Sequence, residues 1–160
     1  MARSLYTCLT EGDVASAAAS TAKTIIGVKA HANSGIDLQG FWISQSGVVA
    51  SDGPTLIEIC YCTWATNSPG TNSSSTTPNQ ISGRVLTAGF TSGKTWTGEP
   101  TALTVLWAFA LDPNKGLFVY DFPLGDSPDS ALAEGFAIRT TVASGGGAVN
   151  FRAALKVCRN

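Results

Sequence analysis

The chain has 160 residues and a formal net charge of -1, with 44% apolar and only 13% charged residues. That balance excludes a disordered chain, which needs few apolar residues and a large net charge. Ten basic residues against eleven acidic ones leave no basic excess for nucleic acid, and a single histidine, His31, excludes multi-histidine metal sites and most histidine-dependent catalysis.

Residues 1–23 read as an N-terminal arm, because the small residues from Val14 onward cannot build a core alone. The first ten residues lack the apolar stretch of a leader peptide, so synthesis in a cytoplasm is expected. The longest apolar run, 105–111, is too short to cross a bilayer as a helix, and no membrane partner is expected.

From Thr24 the apolar period is two, with Ile26, Val28, Ala30 and Ala32 on one side. Leu38 and Phe41 break phase around Gly40, which predicts a β-bulge. Residues 55–63 form the next strand, with Ile57, Ile59 and Tyr61 opposite Glu58, Cys60 and Cys62. Residues 63–80 carry no charge and almost no apolar side chain, which predicts a long polar loop. A strand is expected over 81–89 and a loop over 90–100. Residues 101–111 are apolar enough to be buried on both faces. Asp112-Pro-Asn-Lys-Gly116 is a hairpin turn, since Pro fixes φ and Gly supplies a positive φ. Strands follow at 117–122 and 136–142. The last, clearest one sets Val149, Phe151, Ala153, Leu155 and Val157 against polar neighbours.

These short strands and glycine-rich turns predict an all-β chain: a single β-sandwich over residues 24–160, of jelly-roll or Greek-key topology, preceded by the 1–23 arm. No catalytic, cofactor-binding or metal site is predicted. Ala88-Gly-Phe-Thr-Ser-Gly-Lys-Thr95 imitates a phosphate loop, but Gly98 and Pro100 forbid the helix that such a loop needs. His31 reads as a structural residue. Asp112, Asp121, Asp126, Asp129 and Glu134 read as solvated turn residues without the spacing of a paired-carboxylate or calcium site. Structural or free thiols are expected at Cys8, Cys60, Cys62 and Cys158; a Cys8–Cys158 bridge and metal binding are the alternatives. The aromatic residues Tyr6, Trp64, Phe90 and Trp96 fall in the arm or in loops. With Arg3, Leu5 and Leu9 of the arm they form the candidate protein interface, covering the sandwich ends being the other role open to the aromatics.

The order of several segments resembles the jelly-roll head decoration (cement) proteins of tailed bacteriophages. They are the strand opening Thr21-Ala-Lys-Thr-Ile-Ile-Gly-Val, Pro54-Thr-Leu-Ile-Glu-Ile before a Gly-Thr-Ser loop, Tyr120-Asp-Phe-Pro-Leu-Gly125, Gly135-Phe-Ala-Ile-Arg-Thr and Ala148-Val-Asn-Phe-Arg-Ala. The resemblance spans about residues 20–157. It implies a non-enzymatic virion protein that forms a homotrimer, binds the major capsid protein on the outside of the shell and needs no cofactor. Residues 2–22 are then expected to hold the neighbour or the shell, and to be removable without unfolding the sandwich. Another virion part (a tail or head-completion protein) and a carbohydrate-binding sandwich using Trp64 or Trp96 are the alternatives.

Overall fold

The computed structural model describes residues 4–47 and 53–160. Among them lie twelve strands: β1 (Ser4–Leu9), β2 (Val14–Ala15), β3 (Ala22–Lys29), β4 (Ile36–Ser46), β5 (Thr55–Cys62), β6 (Ser74–Thr76), β7 (Pro78–Ser82), β8 (Thr91–Lys94), β9 (Leu103–Leu111), β10 (Leu117–Asp121), β11 (Gly135–Thr141) and β12 (Asn150–Arg159). The described residues hold no α-helix, only a 3₁₀ turn at Pro113–Lys115. Sheet I has the order β10-β4-β12-β1-β7, with β2 also on β12, and sheet II the order β6-β8-β3-β11-β5-β9. All strand pairs are antiparallel.

Eight strands interleave as β1-β12-β4-β10 in sheet I against β3-β11-β5-β9 in sheet II. Along the chain they alternate between the sheets except where β5 and β9 neighbour each other. This is the jelly-roll order of a two-sheet sandwich. β6, β7 and β8 are additions from the connection between β5 and β9.

Alternation puts one face of each sheet inside. Phe151, Leu155 and Val157 of β12 and Leu38, Phe41 and Ile43 of β4 meet Ile26 and Val28 of β3, Ile57 and Ile59 of β5, and Phe136 and Ile138 of β11. Burying each such side chain contributes about 1.5–3 kcal/mol. The phase break expected at Gly40 is present: Lys156 pairs with Gly40 but Val157 with Leu38, so Gln39 is the extra residue that keeps Leu38 and Phe41 both inward.

The 1–23 segment differs from the expected arm. β1 sits between β12 and β7, and Tyr6, Cys8 and Val14 belong to the core. Its inward set is Ser4, Tyr6, Cys8 and Thr10, half of it polar, while Leu5 and Leu9 point outward, so no apolar period marks the strand. The 63–80 loop is also more ordered than its composition suggests. Hydrogen bonds replace apolar burial there: Asn67 Nδ2 donates to the Glu99 carbonyl at 2.9 Å, Trp96 Nε1 to the Asn67 carbonyl at 2.7 Å, and the Thr97 amide to the Asn72 carbonyl at 2.9 Å. β6 and β8 extend sheet II from this region. The strand expected over 81–89 ends at Ser82.

Candidate functional site

The residues singled out in the sequence do not converge. Arg3 lies outside the described residues. Tyr6 is a core residue, its hydroxyl donating to the Leu86 carbonyl at 2.8 Å and its ring edge-on to buried Phe90, centroids 5.2 Å apart. Trp64 and Trp96 are buried on the outer face of sheet II in a small cluster with Cys60, Cys62 and Ala137. Leu5 and Leu9 are half-buried on the outer face of sheet I.

The chemistry-bearing side chains are spread out and engaged locally. His31 is exposed, and its Nδ1 accepts the Asn33 amide at 3.1 Å. Lys94 sits on a strand and donates to the Thr10 carbonyl. Asp112 caps the turn after β9, Asp121 pairs with Lys156 at 3.0 Å, and Glu134 accepts the Tyr61 hydroxyl. Among the described residues no three His, Cys, Asp or Glu side chains come together as metal ligands. Burial pushes the Cys8 thiol up to about 12, against a smaller opposing hydrogen bond from Ser92, and the Cys60 thiol up to about 11. Burial raises Cys62 further still. Cys8 faces inward opposite Leu155, whereas Cys158, opposite Leu5, faces the other way, so a bridge between the two does not form.

A different surface stands out: the hairpin β9–β10. It closes one side of the sandwich, β9 as the last strand of sheet II and β10 as the last strand of sheet I. Its turn is built as the sequence predicts: Asp112 Oδ1 accepts the Asn114 amide at 2.9 Å, and Gly116 takes a φ of 71°. Residues 103–111 carry no charge and no proline. Expected to be buried on both faces, β9 is instead largely exposed and forms the last strand of sheet II. Trp107 is 41% exposed, Leu117 58% and Val119 56%.

Strand register divides this apolar surface into three connected parts. At the tip, Trp107 and Phe109 of β9 turn inward opposite Ile59 and Ile57, and Phe118 and Tyr120 of β10 turn inward opposite Ile43 and Phe41. With Phe41 and Ala108 they line an open groove of about 230 Å³, in which Phe109 and Phe118 lie 4.4 Å apart by centroid. On the outer face of sheet II, Val105 lies opposite Cys60 and Ala110 opposite exposed Leu56. On the outer face of sheet I, one apolar row crosses four strands: Leu9, Ala154, Trp42 and Val119 are successive register partners. Outer faces of antiparallel sheets are normally polar. Here the row is bordered by the Lys156–Asp121 pair on one side and the Arg152–Asp13 pair on the other.

Leu9, placed at an interface from the sequence, is therefore part of this surface; the hairpin residues were missed. The available signal was that both strands of one hairpin, 103–111 and 117–120, are apolar on both faces; which of those faces stays open follows only from strand order.

Fold and surface together define a jelly-roll sandwich with a long uncovered apolar edge. No family model matches the chain, and neither the curated proteins nor the solved structures contain a match to it.

Proposed function

We propose that the chain is a non-enzymatic virion protein that forms a homotrimer and decorates the outside of a tailed-phage capsid, contacting the major capsid protein and stabilising the shell. The observation that carries the assembly part is the apolar β9–β10 edge. A nine-residue edge strand without charge or proline pairs with other chains unless it is covered. An exposed apolar surface that wraps three sides of an edge resembles an obligate interface. The virion part is supported by the segment resemblance and by the jelly-roll order. A shell gains stability from any ligand that binds only its assembled state, and many copies multiply a modest affinity. The carbohydrate alternative loses its platform, because Trp64 and Trp96 are buried against each other and offer no open ring face.

Two measurements test the reading. Light scattering on the purified chain is expected to give three times its 16.5 kDa mass; a stable monomer overturns the trimer. Antibodies against the chain are expected to label the shell of virus particles released from cells that make it. Label confined to tails or necks assigns it to another virion part, and particles that carry none of the chain overturn the virion reading.

A further inference from the structure

We infer that the occupant of the β9–β10 edge is a second copy of this chain docked head to tail around a threefold axis. The Leu9–Trp42–Val119 row of one protomer covers the Leu56–Val105 flank of the next, and the Trp107–Tyr120 tips meet near the axis. This rests on the homotrimer part of the reading above and assigns its contact surfaces.

Three observations carry it. First, the apolar surface is a wedge. It runs from the outer face of sheet I, around the edge, onto the outer face of sheet II. A twofold contact that sets like flanks against each other leaves the other flank in water. A cyclic arrangement buries both flanks and the tip at once, and three is the smallest such ring. Second, the two flanks differ in shape. One is a row with a half-buried Trp42 and a projecting Val119; the other presents Val105 and the small Ala108 and Ala110 beside Leu56. Different flanks suit a heterologous contact. Third, the ion pairs on and beside the flanks are made within the chain: Lys156 with Asp121 and Arg152 with Asp13 beside the sheet I row, and Arg139 with Glu58 at 2.7 Å on the sheet II flank itself, between Leu56 and Val105. One flank can therefore lie on the other without like-charge repulsion. An edge this apolar needs a partner present in equal amount from synthesis onward, which a copy of the same chain is.

The test uses two exposed positions, Val119→Glu on one flank and Leu56→Glu on the other, with light scattering as the readout and circular dichroism to confirm folding. Each variant alone is expected to lose the trimer, its association weakened on the order of thirtyfold or more. Mixed together they are expected to form one-to-one pairs of twice the chain mass, because the mixture still holds one intact flank-to-flank contact. A native monomer overturns the trimer reading itself. A native trimer that either variant retains overturns the surface assignment alone, and two monomeric variants that fail to pair overturn the head-to-tail arrangement. Amide exchange on the native protein needs no variant: outward-facing amides of 103–111 and 117–121 are expected to be protected, and exchange at the rate of open edge strands overturns the inference.

Discussion

Trp64 lies parallel to Trp96, with ring centroids 6.1 Å and planes 10° apart. Trp64 adopts a positive φ of 52°, which costs a bulky residue about 1–2 kcal/mol. Seating its ring offsets that cost: Nε1 donates to the Val28 carbonyl at 3.1 Å, and the ring lies over Gly27. The stack fastens the connection between β5 and β9 to the outer face of sheet II. That face is thereby covered at one end and left apolar and open at the other, where Val105 and Leu56 lie.

Gly27→Ala is expected to destabilise the fold by about 1–3 kcal/mol. The new methyl would stand 2.5 Å from Trp64 Cη2 and 3.1 Å from Trp96 Cη2, and two rigid indoles cannot both yield within the strand ladder. Urea unfolding followed by tryptophan emission checks this, with a red-shifted native spectrum expected. Unchanged midpoint and spectrum would mean that the stack does not form over Gly27.

Removal of residues 1–10 is expected to abolish folding rather than merely weaken assembly. It takes β1 out from between β12 and β7, breaking two ladders, and removes Tyr6 and Cys8 from the core. Tyr6→Phe is the mild counterpart. It loses only the hydrogen bond to the Leu86 carbonyl and should cost about 1 kcal/mol. Circular dichroism of the truncated chain decides the matter; a cooperative thermal transition near that of the full chain would show the segment to be dispensable.

The two-sheet fold was legible because its central strands alternate cleanly. Phe151 to Val157 could face only one way, and the bulge beside Gly40 announced itself as a phase break. β1 was not legible, because its inward residues include Ser4 and Thr10 and its outward ones include Leu5 and Leu9. The exposure of β9 was misread for a related reason. Composition shows that 103–111 is apolar on both faces, but only strand order shows whether neighbours exist to cover it. Trp64, Trp96 and Phe90 lie in or beside polar loops, which left both an interface and a lid over the sandwich open for them; the loops fold back and bury all three.

Gly40→Ala is expected to cost more than loss of the ion pair beside it. Lys156, Gly40 and Asp121 are successive register partners, and the Lys156–Asp121 pair spans the glycine at 3.0 Å. A methyl at Gly40 would collide with the Asp121 carboxylate and stand 2.7 Å from the Tyr120 carbonyl, so β10 must shift, at about 1–3 kcal/mol. The pair itself is on the surface, and Asp121→Ala should cost under about 1 kcal/mol. Thermal unfolding of the two variants should rank them in that order; the reverse ranking would remove the close approach of β10 to β4 at Gly40.

The buried thiols set an alkaline limit on stability. Cys8 and Cys60 are acids that burial pushes up to about 12 and about 11, above the ordinary thiol value of about 9. Below pH 9 both states hold these protons, and the groups contribute no slope. Above pH 9 the unfolded chain releases protons that the folded chain keeps, so stability falls as pH rises from about 9 toward 11–12. Replacing Cys60 by Ala should flatten part of that slope while leaving stability at neutral pH lower by the lost packing of one sulfur. Denaturant midpoints at stepped pH check the slope, and Ellman's reagent checks the burial behind it. Cys8, Cys60 and Cys62 are expected to react only after unfolding, and their rapid reaction in the native protein at pH 8 would place these thiols in solvent.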